Sequence, residues 1–111
     1  MFARNLSMHL KPNCVAEYTR SFDQEITPLL RKQKGFQDGI AFVTHNGTGA
    51  VIISLWDQKE NAEAYNREFY PQVLKTLTKF VEGTPQLKTY DVTSSTFHKI
   101  AARTATATAG M

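Results

Sequence analysis

Hydrophobic and polar residues alternate over residues 2–11. One phase carries Phe2, Leu6, Met8 and Leu10, with Arg4 as its charged member. A period of two predicts a β-strand with one apolar face, and that phase is expected to lie against a core. A similar alternation over residues 86–97 predicts a further strand near the end of the chain.

A helical period follows the first strand. Apolar residues recur at spacings of three and four from Val15 to Leu30, which predicts a first helix with Asn13 as its N-cap. Pro28 falls inside this pattern and lacks a backbone N–H, so we expect a bend or break near residues 25–28. Gly35 is expected to end the helix.

The middle of the chain predicts a hairpin and a second helix. Residues 36–45 and 50–56 are rich in β-branched and aromatic side chains, and a turn sequence, Asn46-Gly47-Thr48-Gly49, separates them. Asp57 and Glu60 have the spacing of a capping box, which predicts the start of the second helix. Pro71 is expected to divide this helix, which would end near Gly83.

The order β-α-β-β-α-β predicts an α+β, ferredoxin-like fold: an antiparallel sheet with both helices on one face. Both phases of the hairpin strands are apolar, so both faces of the sheet need cover. We therefore expect a homodimer with the two sheets packed face to face, which makes a dimeric α+β barrel. Residues 1–100 form this domain, and the Ala/Thr-rich residues 101–111 are expected to be a mobile tail.

Composition narrows the possible classes. The chain has 111 residues, with 13 Lys and Arg against 10 Asp and Glu, and its dispersed charges do not predict nucleic-acid binding. No apolar stretch approaches the roughly 20 residues of a membrane span, and the first residues do not resemble a secretion signal. Cys14 is the single cysteine, so the expected compartment is the cytoplasm. The three histidines lie far apart and predict no metal site.

Several short segments resemble the antibiotic biosynthesis monooxygenase superfamily, whose members are dimeric α+β barrels. The resemblance covers about residues 2–98 and rests on Pro28-Leu29-Leu30, Lys34-Gly35-Phe36, Ser54-Leu55-Trp56 and Tyr70-Pro71 with Val73-Leu74. It implies a protein that binds a small aromatic or quinol-like molecule. Such a protein would oxidise that molecule as a monooxygenase without any cofactor.

The same superfamily includes haem-degrading proteins, which use an Asn on the first strand with a Trp and a His on the second helix. The resemblance places Asn5 at the strand position, but it places Tyr65 and Lys75 at the two helical positions. Haem degradation by that mechanism is therefore disfavoured.

The resemblance also suggests a site of polar and aromatic groups between the sheet and the helices. Among the candidates, Arg4 would bind an anion, Tyr65 and Tyr70 would transfer protons, and Trp56 would pack. The expected substrate-binding residues are Asn5, Trp56, Phe69 and His98.

Arg4 has a second interpretation. It lies on the apolar phase of the strand, where an unpaired guanidinium is costly. It would then reach solvent or pair with an acid such as Glu63 or Asp91.

Two functions from different classes remain open. One is a cofactor-independent monooxygenase; the other is a non-catalytic ligand-binding or interaction dimer, which the absence of a linked acid–base pair favours. The volume between the second helix and the sheet distinguishes the two functions. A packed, dry region would exclude the monooxygenase function, whereas a polar-lined pocket of a few hundred cubic ångströms would remain compatible with it.

Overall fold

The computed structural model describes residues 1–96 and contains one four-stranded antiparallel sheet. Its elements are β1 (Phe2–Leu10), α1 (Val15–Ser21), a π-helical turn (Phe22–Ile26), α2 (Thr27–Arg31), β2 (Phe36–Val43), β3 (Gly49–Trp56), α3 (Lys59–Glu68), α4 (Tyr70–Leu77) and β4 (Val81–Asp91). The strand order is β2-β3-β1-β4. The predicted α+β, ferredoxin-like fold is confirmed.

The alternation in β1 separates the two faces of the sheet. Residues of the Phe2 phase are buried throughout, whereas the intervening ones are half-buried or exposed. Arg4 lies opposite Ser54 and Leu6 opposite Ile52 across the β1–β3 pair, and directly opposed residues share a face. The helices cover this face and bury a continuous core: Phe2, Leu6, Met8, Leu10, Tyr18, Phe22, Ile26, Leu30, Ala50, Ile52, Trp56, Ala62, Tyr65, Val73, Leu77, Phe80 and Val81.

The two predicted interruptions by proline are confirmed. Pro28 lies in the first turn of α2, directly after the π-helical turn, and Pro71 lies in the first turn of α4. Proline is tolerated at these positions because the N–H groups of a helix's first turn have no intrahelical partner. The first predicted helix is therefore α1, the π-helical turn and α2 in succession, and the second is α3 followed by α4.

Both predicted helix caps are wrong. Asn13 has a φ of 61° and lies in the preceding turn, and Cys14 occupies the N-cap of α1. Gln58 is the N-cap of α3, and its side chain forms no capping hydrogen bond. The carboxylate of Asp57 instead accepts a hydrogen bond from Nδ2 of Asn61 at 2.8 Å.

Asp57 is held in this position by the end of the first helical region. Its backbone N–H donates to the carbonyl of Gly35 at 2.9 Å. Gly35 has a φ of 83°, and a Cβ there would collide with Oδ1 of Asp57. Glycine is therefore required at this contact on both conformational and steric grounds.

The predicted hairpin is confirmed, but the boundary between the second helix and the last strand is not. The helix ends at Leu77 rather than near Gly83, and β4 runs from Val81 to Asp91 rather than over residues 86–97. Val81 pairs with Leu10, so it belongs to the sheet. Leu77, Phe80 and Val81 have a spacing that suits a helix, which explains the error.

The face of the sheet opposite the helices carries apolar side chains that no helix among residues 1–96 covers. Phe42 lies opposite Val51 and Ile40 opposite Ile53. The side chains of Phe42 and Tyr90 are 47% and 50% exposed. We call this surface the open face.

Within residues 1–96, no helix has the length and apolar character that a membrane crossing requires. The predicted tail and His98 lie outside the described residues.

Candidate functional site

Arg4 is a buried cation close to the N-terminal end of the described chain. It lies on β1, faces the helices and is 5% exposed. Its Nη2 donates a hydrogen bond to Oδ1 of Asn66 on α3 at 2.9 Å. Its Cζ lies over the aromatic rings of Tyr65 and Tyr70, 4.9 and 4.8 Å from their centroids. Neutral groups therefore hold this charge through cation–π contacts and one hydrogen bond.

The expected acidic partner of Arg4 is absent from the described part of the chain. Neither Glu63 nor Asp91 forms an ion pair with it, and Thr89 rather than Asp91 is its neighbour on β4. Burial lowers the pKa of Arg4, and the nearby Tyr65 and Tyr70 oppose this effect. A guanidinium stays protonated in proteins, so the site keeps a buried positive charge that no carboxylate neutralises.

An aromatic cluster supports the guanidinium from the interior. The rings of Tyr65 and Trp56 are 5.1 Å apart, those of Tyr65 and Tyr70 6.5 Å, and those of Trp56 and Phe36 5.6 Å in a T-shaped contact. Trp56 is fully buried, and its Nε1 donates to Oγ of Ser54 at 3.0 Å. Trp56 thus packs at the end of β3 with its polar atom satisfied.

The two tyrosines are weak acids in this environment. Burial raises the pKa of Tyr65 to about 12, although Arg4 partly opposes the shift. Burial also raises the pKa of Tyr70, again against the effect of Arg4. Both hydroxyls are therefore protonated at neutral pH, and they can donate hydrogen bonds or protons but do not serve as resting bases.

Arg4 separates two cavities. The outer cleft, of about 400 Å³, lies between α3 and the part of the sheet formed by β1 and β4; its lining includes Phe2, Arg4, Asn66, Leu87 and Thr89. The inner chamber, of about 20 Å³, lies on the side of Tyr65, Tyr70 and Ser54. Among the described residues, Arg4 is the one side chain that lines both.

The outer cleft has a positive electrostatic character. Lys59, Glu63 and Arg67 line it from α3 at intervals of four residues, which places them on one face of the helix. Together with Arg4 they contribute three cations and one carboxylate. The volume of the cleft lies within the range of small-molecule pockets. Its polar lining is compatible with the expected monooxygenase function.

A larger groove, of about 730 Å³, lies at the other end of β1, near the loop between β2 and β3. His9, Asn46 and Glu82 contribute to its lining, but it contains no buried charged side chain. The outer cleft is therefore the stronger candidate, although it is smaller.

The structure assembles only part of the set that the sequence suggested. Arg4, Tyr65, Tyr70 and Trp56 lie together on the helix side of the sheet. Asn5 lies on the open face, opposite Ile53 and Lys88. Phe69 is half-buried and packs against the core, and His98 lies outside the described residues.

The three positions that resemble the haem-degrading arrangement are not brought together. Asn5 and Tyr65 lie on opposite sides of the sheet, and Lys75 is an exposed residue of α4. Within residues 1–96, no group of three His, Cys, Asp or Glu side chains could hold a metal ion.

The sequence analysis missed Asn66 and the charged stripe of α3. Their signal is the spacing of Lys59, Glu63, Asn66 and Arg67 at three and four residues, which also fits a solvent-facing helix surface. Only the tertiary structure shows that this stripe faces a cleft with a buried arginine.

No protein-family model and no curated protein matches the sequence. Solved structures do match. A monooxygenase of Streptomyces coelicolor in complex with the ligand nanaomycin D has a TM-score of 0.73 at 12% identity, over 85% of this chain and 88% of that chain. A candidate antibiotic biosynthesis monooxygenase of Deinococcus radiodurans has a TM-score of 0.71 at 12% identity, over 86% and 95%.

A protein of unknown function from Nitrosomonas europaea is similar to the same extent, with a TM-score of 0.70 at 12% identity, over 86% of this chain and 92% of that chain. At such identities the likeness concerns the fold. The chain has the fold of the antibiotic biosynthesis monooxygenases, as the resemblance of its sequence implied.

Proposed function

We propose that the outer cleft binds a small aromatic molecule as an anion and that Arg4 anchors it. The observation that carries this proposal is the buried guanidinium at the cleft, which no carboxylate among residues 1–96 neutralises. Leaving a buried charge without a counter-ion is costly, so an anionic ligand would gain a strong, partly desolvated contact. Lys59 and Arg67 would attract the same ligand from the cleft surface.

The proposed reaction is a cofactor-independent oxidation of an aromatic or quinol-like substrate by dioxygen. In the oxidase form, a hydroquinone gives two electrons and two protons to O₂, so that a quinone and hydrogen peroxide form. In the monooxygenase form, a ring CH₂ group becomes a carbonyl, one oxygen atom of O₂ enters the product and the other leaves as water. The four electrons removed from carbon reduce both oxygen atoms, so neither a metal nor a flavin is needed. The fold supports this reaction type, since a structural neighbour is a monooxygenase in complex with the ligand nanaomycin D.

The residues have distinct roles in this proposal. Arg4 stabilises the anion of the substrate, and Asn66 holds the guanidinium in place. The hydroxyls of Tyr65 and Tyr70, which their raised pKa keeps protonated, donate hydrogen bonds and transfer protons to reduced oxygen species. Trp56 packs behind the two rings.

A second candidate function is ligand binding without chemistry. It is favoured by the position of the tyrosines, which line the inner chamber rather than the outer cleft. A ligand in the cleft contacts Arg4 first, and no general base lies beside it except the exposed carboxylate of Glu63.

The proposed assembly is a homodimer in which the open faces of two sheets pack together. The exposed side chains of Phe42 and Tyr90 support it because such apolar surface is costly in water. The proposed compartment is the cytoplasm, where the single Cys14 would remain reduced.

Oxygen uptake tests the proposed function. The full chain is assayed with a panel of hydroquinones and naphthoquinols, and ligand-induced thermal shifts are measured in parallel. The proposal predicts uptake with some members and its loss in Arg4→Met, but not in the control Arg20→Met on exposed α1. A thermal shift without oxygen uptake would favour the non-catalytic function. The absence of both signals would contradict both the oxidation and the anion binding.

A further inference from the structure

The inner chamber is too small for an aromatic ligand but large enough for one small molecule. Its volume is about 20 Å³, and a cavity of this size accommodates a single water-sized molecule. Five aliphatic side chains form most of its wall: Leu6, Ile26, Leu30, Ile52 and Val73. The rest of the wall is formed by Arg4, Ser54, Tyr65 and Tyr70, so an aliphatic surface faces a smaller polar one.

Two polar side chains of the chamber wall already have hydrogen-bond partners. Oγ of Ser54 accepts a hydrogen bond from Trp56, and the guanidinium of Arg4 donates to Asn66. Across residues 1–96, every buried side-chain nitrogen and oxygen has a hydrogen-bond partner. A buried water normally binds groups that would otherwise be unsatisfied, whereas cavities without such groups stay dry and take apolar molecules.

We propose that the inner chamber binds dioxygen, and that Arg4 separates this oxygen site from the organic anion in the outer cleft. The inference rests on the proposed function, which supplies the anion as electron donor. Dioxygen is small and apolar, so it suits the aliphatic part of a chamber in which no buried polar side-chain atom of residues 1–96 lacks a hydrogen-bond partner.

The position of Arg4 matches the charge movement of the first redox step. One electron passes from the bound anion to O₂, so that the anion becomes a neutral radical and O₂ becomes superoxide. One negative charge thus leaves the cleft side of Arg4 and one appears on the chamber side. The guanidinium lines both cavities, so it stabilises the negative charge before and after the transfer.

Separate sites also predict independent binding of the two substrates. A ligand that fills the outer cleft leaves the inner chamber empty, because the two share no lining residue other than Arg4 among residues 1–96. Excess organic substrate should therefore not compete with dioxygen.

Methyl NMR of the full chain under dioxygen pressure tests the oxygen site without any catalysis, with nitrogen at equal pressure as the reference. Paramagnetic O₂ should broaden the methyl signals of Ile26, Ile52 and Val73 several-fold more than those of Leu77 and Val81. Leu77 and Val81 are buried to a similar degree but do not line the inner chamber. Equal broadening of both groups, or a long-lived water signal at the chamber methyls, would overturn the oxygen site.

A cavity-filling variant tests the role of the chamber in turnover. Val73→Ile adds one methylene to the wall, and Val81→Ile makes the same change in the core outside the chamber. With a naphthoquinol as substrate, Val73→Ile should raise the KM for dioxygen several-fold and leave the KM for the naphthoquinol unchanged. Unchanged kinetics for dioxygen in Val73→Ile would overturn the proposal.

The two measurements separate the failure of this inference from the failure of the proposed function. Selective broadening of the chamber methyls without any oxygen uptake supports the oxygen site and overturns the proposed oxidation. Oxygen uptake without selective broadening overturns the oxygen site and leaves the proposed function in place.

Discussion

Arg4 on β1 and Asn66 on α3 are joined by a hydrogen bond of 2.9 Å, although 62 positions separate them in the chain. The amide oxygen of Asn66 occupies the position at which a buried arginine normally meets a carboxylate. It fixes the guanidinium but leaves its full positive charge beside the outer cleft. We therefore expect the charge of residue 66 to control whether the cleft attracts anions.

Asn66→Asp should convert the site into an ordinary ion pair. The new carboxylate would neutralise Arg4, so we expect the affinity for aromatic anions to fall at least about tenfold, roughly 1.4 kcal/mol. The free energy of unfolding should rise by about 1 kcal/mol, because a charge-assisted hydrogen bond replaces a neutral acceptor. Calorimetric titration and chemical denaturation measure the two effects.

Asn66→Ala is the matched control for this change. It removes the same hydrogen bond without adding a charge, so it should weaken anion binding less than Asn66→Asp does. Equal losses in both variants would contradict the electrostatic explanation.

Arg4→Met should alter stability little while it abolishes anion binding. The variant loses two cation–π contacts and one hydrogen bond, but it also removes the cost of burying a charge, so we expect a change below about 1 kcal/mol in the free energy of unfolding. Leu6→Ala, on the same face of β1, should cost about 2 to 5 kcal/mol. An equally large loss in Arg4→Met would show that Arg4 is a structural residue.

The pKa of Tyr65 predicts a loss of stability in alkali. Burial raises it from the ordinary value of 10.0 to about 12, so the folded state holds the phenolic proton more tightly than the unfolded state. This stabilisation is complete below pH 10 and is lost as the pH rises through 12, with a total of about 3 kcal/mol. Tyr65→Phe should remove that part of the pH dependence, as measured by denaturation from about pH 9 to about pH 12. The same pH dependence in the wild type and in Tyr65→Phe would contradict the assignment of the alkaline loss of stability to Tyr65.

Local signals in the sequence predicted most of the fold. The alternation of β1, the hairpin turn and the two prolines each act through neighbouring residues, so their consequences do not depend on distant contacts. The cap predicted at Asp57 failed because a tertiary contact, the hydrogen bond from Asp57 to Gly35, helps to decide which residue begins α3. The prediction of where β4 begins failed because the first apolar residues of the strand continue the helical spacing of α4.

Less of the candidate site than of the fold could be predicted from the sequence. The phase of β1 correctly predicted that Arg4 faces the helices, but an acid was expected where Asn66 binds. The packing of α3 on the sheet decides which residue of the helix lies beside Arg4. The spacing of residues in the sequence does not determine how the helix and the sheet are aligned. The division into an outer cleft and an inner chamber likewise follows from packing alone.

The open face predicts self-association. The full chain should sediment at twice its monomer mass at micromolar concentration, and Phe42→Lys should shift it to the monomer because a charge would be buried between the two sheets. Val43→Lys is the control on the same strand: Val43 is 42% exposed but lies on the opposite face, opposite Ala50. A wild-type monomer, or equal effects of both substitutions, would contradict the proposed dimer.

The most direct measurement compares a ligand in charged and neutral form. Trp56 is the only tryptophan and lies 5.1 Å from Tyr65, so its fluorescence reports on the surroundings of Arg4. A hydroxynaphthoquinone, ionised at neutral pH, should bind at least about tenfold more tightly than its uncharged methyl ether, and Arg4→Met should remove that preference. Equal affinities of the two compounds for the wild-type protein would contradict an anion site at Arg4.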